Sequence, residues 1–419
     1  MKILVVGGGG REHAIIWKLK QSSRITKLYC APGNGGISQI AECVPIGAME
    51  IEKMTAFAQS ESIDMVIVAP DDPLAAGMVD TLENAGIRAF GPNKAAAIIE
   101  ASKVFSKDLM KKYNIPSAEY EVFDDYESAI EYVQTAKIPL VVKADGLALG
   151  KGVLICNTRD EALDAVASIM KDKQFGAAGE RIVVEEFLTG PEVSVLAFTD
   201  GKTIIPMVSS QDHKRAYDND QGLNTGGMGA FSPSKFYSEE LEDECMKTIF
   251  KPTVDAMNKE GRPFKGVLYF GLMLTEDGPK VLEYNARFGD PETQVVLPRL
   301  ENDLLEIFDA IIDERLDKVK ISWKKDNAVC VVMASGGYPQ SYKKGFEIKG
   351  LDKLIDKDDI IVFHAGTKKN NDKYYTNGGR VLGVTALAEN IQKAREKAYD
   401  AISLIDFEKA HYRKDIGLK

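Results

Sequence analysis

The sequence predicts an α/β protein. It has an N-terminal doubly wound parallel sheet, a strand-rich centre carrying a small α/β unit, and a small C-terminal α/β module. Three observations predict this. Over residues 1–100, continuous apolar runs such as KILVV and IDMVIVAP alternate with helical patterns, as parallel strands covered on both faces do. From about residue 191 the pattern becomes strand-rich, through EVSVLAFTD, TIIPMVSSQD, GVLYFGLMLT and PKVLEYNAR. From about 328 the strands AVCVVMAS, IIVFHAG and RVLGVTALA precede a closing helix, NIQKAREKAYDAISLI.

In chain order, KILVV is a strand, REHAIIWKLKQ a helix, KLYCA a strand, MTAFAQSE a helix and IDMVIVAP a strand. LAAGMVDTLENAG is then a helix and RAFGP a short strand. Ligands on such sheets lie at the carboxyl ends of the strands. The loops there are GGGGREH, APGNGG and APDDPLAAG. NKAAAIIEASKVFSKDLMKKYN reads as one helix ending near Pro116. The unit from 120 to 190 holds the strand IPLVVKAD, a glycine-rich turn, the strand GVLICN, the helix DEALDAVASIMK and the strand RIVVEEFL. EIFDAIIDERL is a helix, and there is no internal repeat or low-complexity segment.

With 419 residues the chain is long enough for two to four domains. Its 44% apolar and 28% charged residues are those of a globular protein. A net charge of -10 argues against a dedicated nucleic-acid binder. Five dispersed cysteines without a C-x-x-C pair fit free thiols in a reducing compartment. No apolar run approaches the ~20 residues of a membrane helix, and MKILVV is too short for a signal peptide. The expectation is a soluble, cytoplasmic protein that neither binds nucleic acid nor enters a membrane.

The run VVGGGGREHA does not fit the dinucleotide fingerprint. From Gly7 and Gly9 the third glycine position is Glu12, and from Gly8 and Gly10 it is His13. The second strand also ends without an acidic residue. An anion site at a helix N-terminus beside Arg11 and an unliganded tight turn both satisfy this loop.

Three further stretches carry chemistry. In PLVVKADGLALGKGV, Lys143 ends a buried strand before a flexible loop, Gly146 to Gly152, that can fold over phosphate oxygens. Lys151 adds a second cation. This is not a Walker loop, since Gly152 follows Lys151. In RIVVEEFLTGPEVS, EEFL offers backbone hydrogen bonds and apolar walls to a base, and Glu192 an acceptor to a ribose. In PKVLEYNARFGDPETQ, alternation along the strand puts Glu283, Asn285 and Arg287 on one side. The first two are oxygen donors suited to a hard cation, and the arginine can face a phosphoryl group in flight.

The order Lys103, Lys143 before a glycine-rich loop, EEFL, Glu192 and EYN resembles the ATP-grasp superfamily. VVGGGGREHA, APGN, HKRAYDNDQGLNTGGMGA and EYNARFGDPETQ resemble, within it, the phosphoribosylamine–glycine ligase family of purine biosynthesis, over essentially the whole chain. The resemblance implies an N-terminal substrate-binding domain over 1–101, an ATP-grasp region over 102–325 with a lid at 120–190, and a C-terminal domain over 326–419. It implies that glycine is activated by ATP as an acyl phosphate and captured by the amine of 5-phosphoribosylamine. Lys103, Lys143, Gly150 and Lys151 would then meet ATP phosphates. Glu185, Glu186 and Leu188 would line the adenine hinge, and Glu192 would meet the ribose. Glu283 and Asn285 would hold Mg²⁺ or Mn²⁺, and Arg287 would stabilise the moving phosphoryl. In the acceptor stretch 209–233, Asp212 would hold the ammonium of glycine. Lys214, His213 and Arg215 would face anionic groups, and Gly227 and Gly229 would let amides approach the acyl phosphate. Gly8, Gly9, Gly10, Arg11, Asn34 and Asp71 would receive the phosphoribosyl substrate. Nothing in the sequence demands more than a monomer, which is the expectation.

Two departures stand out. The chain reads Pro70-Asp71-Asp72-Pro73-Leu74 where relatives read P-E-A-P-L, which shortens that carboxylate. The strand before EYN carries no acid until Glu276, so the metal site would rest on Glu283, Asn285 and the phosphates. The rival readings are another ATP-grasp ligase or carboxylase, and a nucleotide sensor without turnover. A sensor has no need of Arg287.

Overall fold

The computed structural model describes residues 1–147, 152–355 and 357–418. Its N-terminal sheet is five-stranded and wholly parallel, in the order Glu42–Cys43, Lys27–Pro32, Lys2–Gly7, Met65–Val68, Ala89–Phe90. The first strand shows why its apolar run is continuous. Leu4 and Val6 enter one core, Ile3 and Val5 another, and all four are fully buried. The strand order reverses between Lys2–Gly7 and Met65–Val68. Their carboxyl ends open the crevice where ligands bind in such sheets. Arg11 and Asp71 stand at those two ends.

The expected helix at 93–114 is two helices, Lys94–Ala101 and Lys103–Lys112, because Ser102 is extended (φ -133°, ψ 114°). Asp145 makes this break. Its Oδ1 accepts from Ser102 Oγ at 2.9 Å and Val104 N at 2.8 Å, and its carbonyl accepts from Lys103 N at 3.0 Å. The second helix therefore starts at Lys103, with Ser102 capping Phe105 N.

Two antiparallel sheets of four strands follow. One runs Tyr120–Phe123, Ile182–Glu186, Leu140–Ala144, Val153–Cys156 and has its own small core beneath the helices Tyr126–Thr135 and Arg159–Val166. The other runs Ile204–Pro206, Glu192–Asp200, Lys265–Thr275, Gly278–Asn285. The expected single strand TIIPMVSSQD is divided. Ile204–Pro206 stays in this sheet, while Gln211–Asp212 crosses to another. That other sheet joins Gln211–Asp212 and Gly229–Ser232 to the C-terminal strands Asn327–Ser335, Arg380–Ala388 and Ile360–His364, covered by the helix Ile391–Ile402. The stretch 209–233 is thus pinned at both ends to the C-terminal sheet. Among the described residues no helix is long and apolar enough to cross a membrane.

Candidate active site

One cavity of about 1190 Å³ collects most of the residues singled out in the sequence. At one end, strand alternation sorts Leu140–Ala144. Leu140, Val142 and Ala144 enter the core of the small unit, while Val141 and Lys143 face the cavity. Across the ladder Val141 pairs with Glu185. Lys143 Nζ donates to Glu185 Oε2 at 2.9 Å and to Leu282 O at 3.1 Å. Lys107, which sequence reasoning missed, lies 3.0 Å from the same Glu185 oxygen. Burial lowers its ammonium to about 8 although Glu185 opposes this. The Glu185 side chain therefore balances two buried lysines. Glu186 points the other way, accepting from Glu119 N at 3.1 Å, and also lines the cavity. Leu188 packs with Ala118, Met273 and Leu282 in a small apolar cluster on the cavity wall, a surface suited to a planar base.

Lys103 Nζ donates to Gly146 O at 3.1 Å, and burial lowers its ammonium despite Glu283. Gly150 and Lys151 lie outside the described residues. Glu192 accepts from Lys214 Nζ at 3.0 Å, and Glu283 lies 3.9 Å from the same nitrogen. Burial acts to raise the Glu283 carboxyl, but Lys214, Lys143, Lys103 and Arg287 outweigh it and hold it below its ordinary value. Lys214 itself is raised, since Glu192, Asp212 and Glu283 overcome its burial.

Glu283, Asn285 and Arg287 do share a side. Arg287 Nη2 lies 3.2 Å from Asn285 Oδ1, 2.9 Å from Glu100 Oε1 and 3.9 Å from Asp71 Oδ2. Glu100 was not foreseen. Its other oxygen accepts from Ala286 N at 2.7 Å, and burial raises it to about 7. The expected acid on the neighbouring strand is replaced by Gly271 opposite Glu283, and Glu276 sits in the hairpin turn beyond. Among the described residues no group of three His, Cys, Asp or Glu is placed to hold a metal. Glu283 and Asn285 remain as convergent oxygen donors, a set that fits a hard cation completed by phosphate oxygens.

At the acceptor end, burial pushes Asp212 up to about 8, with Lys214 opposing and Glu292, Glu192 and Glu283 adding to the rise. Glu292, also missed, is buried and raised for the same reason. It accepts from Ser194 Oγ at 3.3 Å, which meets Tyr269 OH at 2.8 Å. Arg215 lines the cavity from a short hairpin and donates to Gly222 O at 2.8 Å.

Several of the expected site residues do not line the cavity. His213 does not face the cavity; it is 1% exposed, with its ring 5.9 Å from that of Phe231. Gly227 and Gly229 also lie off the cavity. Gly227 (φ 110°) has no room for a Cβ against Pro291, and a Cβ on Gly229 would stand 2.6 Å from Cys330 O. The Pro291 ring crowds Gly227, and the Cys330 carbonyl crowds Gly229. Asn34 spends all four of its hydrogen bonds on the fold. It donates to Gly8 O at 2.9 Å and His364 O at 2.8 Å, and accepts from Gly36 N and Ile37 N, both at 2.9 Å.

In the opening loop, Glu12 takes the place of the missing third glycine. It is buried, accepts from Gly9 N at 2.5 Å and pairs with Arg11 Nε at 2.6 Å. Gly8, Gly9 and Gly10 are off the cavity wall, pressed on Gly33, Glu12 and Gln294. Arg11 and Asp71 do line the cavity. Burial acts to raise Asp71, but Arg287 and Arg11 hold it low. The C-terminal module contributes Arg380, which donates to Gly226 O at 2.6 Å and Asp290 O at 2.8 Å.

Residues 1–100, 101–293 and 328–419 match the N, ATP-grasp (A) and C domains of phosphoribosylglycinamide synthetase. The chain belongs to the phosphoribosylglycinamide synthetase family. It is 50% identical over 417 residues to a phosphoribosylamine–glycine ligase of Caldanaerobacter subterraneus, covering 100% of this chain and 99% of that one. It is 49% identical over 417 residues to one of Brucella melitensis, covering 100% and 97%. The crystal structure of phosphoribosylamine–glycine ligase from Thermotoga maritima superposes with a TM-score of 0.85 at 33% identity, over 99% of this chain and 100% of that one. A biotin carboxylase domain from Hydrogenobacter thermophilus, at 15% identity and TM-score 0.75 over 98% of this chain and 91% of that one, shares the fold. The ATP-grasp fold of this family therefore frames the cavity.

Proposed function

We propose that this chain joins glycine to 5-phosphoribosylamine, with ATP converted to ADP and phosphate and glycinamide ribonucleotide as product, a step of purine biosynthesis. One observation carries the reading. A single cavity runs from an apolar base wall at Leu188 and Met273, past Lys103 and Lys143, to Glu283, Asn285 and Arg287, and on to Arg11 and Asp71. A nucleotide and an acceptor can thus meet in one space.

In this reading a glycine carboxylate oxygen attacks the γ-phosphorus and ADP departs, leaving glycyl phosphate. The amine nitrogen then attacks the carbonyl carbon and phosphate leaves. Lys103 and Lys143 hold phosphate oxygens, and Arg287 lies against the transferring group. Catalysis of this kind is mostly positioning and charge neutralisation. Glu283 and Asn285 would hold Mg²⁺ or Mn²⁺, which supplies charge neutralisation on the phosphates. Asp212, raised chiefly by burial with Glu292, Glu192 and Glu283 adding to the rise, suits the ammonium of glycine: an arriving cation offsets both effects and favours the ionised carboxyl. Lys214, tied to Glu192 and Glu283, faces the carboxylate end. Arg11 and Asp71 serve the phosphoribosyl substrate, Asp71 toward its hydroxyls. In this reading the chain acts as a monomer. Five free cysteines among the described residues suit a reducing cytoplasm.

The test is ADP release with ATP, Mg²⁺, glycine and phosphoribosylamine generated in situ, each omitted in turn. Release that requires both glycine and the amine is expected. Release that ignores both, or follows another acid, overturns the substrate assignment.

A further inference from the structure

Arg215 reaches the cavity from a two-stranded hairpin, Arg215–Tyr217 with Gln221–Asn224, held by only two register pairs with an irregularity between them. A lone hairpin of this kind is marginal in water. Its large apolar side chains do little to hold it, since Tyr217 and Leu223 are 52% and 53% exposed. Its tip is also strained, with Asn219 and Asp220 at φ 58° and 54°.

What holds the hairpin is the segment from His411 to Asp415. His411 Nε2 bonds Ala216 O at 2.7 Å, and its ring lies 5.2 Å from that of Tyr217. Lys414 N donates to Asp218 Oδ1 at 2.7 Å, and Asn219 N donates to Asp415 Oδ2 at 2.9 Å. At the centre is Arg413, a guanidinium with 0% exposure. It grips Asp415 two ways, at 2.7 Å and 2.6 Å, and its remaining bonds go to the hairpin: Arg215 O at 3.1 Å and Asp220 Oδ1 at 3.1 Å. Both hairpin partners line the cavity. Ala410–His411 in turn pairs with Asn327–Ser335, so the mount is anchored in the C-terminal sheet.

Packing alone gives no reason to bury a guanidinium, because apolar side chains fill space at lower desolvation cost. A rigid fork that ties two cavity-lining residues to a fixed sheet does give one. We propose that Arg413 is a positioning residue that sets the 215–224 hairpin, and with it Arg215, against the acceptor end of the cavity. This rests on the ligase reading only for which substrates feel the change.

The test uses the full chain with Arg413→Lys, which keeps the charge and loses the fork, and Asp220→Asn, which leaves the Arg413–Asp415 grip intact. Hydrogen exchange is read for amides 215–224, and KM for ATP, glycine and phosphoribosylamine separately. The expected result is faster exchange confined to the hairpin. With it, KM rises by about tenfold for at least one acceptor substrate while KM for ATP stays within about twofold; Asp220→Asn shifts the same way by less. Unchanged hairpin exchange in both variants overturns the proposal. So does an equal decline in every kinetic constant with a general loss of protection, the mark of a merely structural role. If the wild-type chain fails to ligate glycine, the ligase reading falls, and the exchange measurement still decides the mount.

Discussion

Glu100→Gln separates what Arg287 needs from what the fold tolerates. The Glu100 carboxylate accepts from Arg287 at 2.9 Å and from Ala286 N at 2.7 Å. Glutamine keeps the shape but turns an N–H₂ toward one of these donors, so a charge-assisted bond is lost. Such bonds contribute about 1.5–3 kcal/mol. If Arg287 stabilises the moving phosphoryl, kcat falls about 10- to 150-fold at pH 8. Stability should move oppositely. Burial raises Glu100 from 4.5 to about 7, so its contribution to stability is fully present below about 4.5 and is lost as pH rises through about 7. That displacement corresponds to about 3 kcal/mol. The variant should therefore be more resistant to urea than wild type at pH 8, relative to pH 5. Activity of the wild type should fall as pH drops through about 7, where Glu100 takes up its proton, and this limb should be missing in the variant. ADP release against pH, with urea midpoints at pH 5 and 8, measures all of this. A variant retaining kcat within about threefold of wild type at pH 8 would refute the reasoning, because Arg287 would then need no anchor.

Glu283→Gln should abolish ligation while leaving the circular dichroism spectrum and the urea midpoint near wild type; near-normal turnover would remove the metal assignment. Arg11→Ala should raise KM for phosphoribosylamine by about tenfold or more and leave KM for ATP unchanged, and an equal rise in both would make Arg11 structural. Asn34→Ala strips four hydrogen bonds from the 33–37 loop and should cost about 3 kcal/mol of stability, read as a lower urea midpoint. A midpoint unchanged from wild type would contradict that role. His13 and His364 are buried as neutral rings, and desolvation lowers them to about 3 and about 4. The unfolded chain binds protons first, so stability should fall as pH drops from about 6.5 toward 4. His13→Asn, which keeps an acceptor for His364 N, should flatten that slope. An unaltered slope would mean that other groups govern acid unfolding.

The parts of the fold legible in the sequence were those set by local pattern. KILVV and IDMVIVAP had to be strands buried on both faces, and alternation alone put Glu283, Asn285 and Arg287 on one side. Lys143 could be placed because a lysine ending an apolar strand must look out of its core. What escaped depended on residues far away in sequence. The helix break at Ser102 is made by Asp145, which nothing in EASKVF announces. Lys107 reads as one polar position of an amphipathic helix until Glu185 faces it. Glu100, Glu292 and Arg380 become site residues only when the sheets meet. The glycine runs carry packing demands that the sequence alone does not display. GGGG and GGMG look like anion loops, yet a Cβ at Gly8, Gly227 or Gly229 would meet the Gly33 carbonyl, the Pro291 ring or the Cys330 carbonyl. Asn34 and His213 sit in motifs that look functional, and the structure shows that the fold also holds both in place. Glu12 is the useful exception: the residue that broke the dinucleotide spacing is the one that closes the loop, through Gly9 N and Arg11.

On the proposed route this cavity passes the γ-phosphoryl group to the carboxylate of glycine before the amide forms. The most direct measurement is the fate of oxygen from glycine labelled with ¹⁸O in its carboxylate, followed by mass analysis of the released phosphate. Under the glycyl phosphate route one labelled oxygen leaves with each phosphate and the amide keeps the other. Unlabelled phosphate released together with the amide product would contradict the account, since the carboxylate would then never have carried the phosphoryl group.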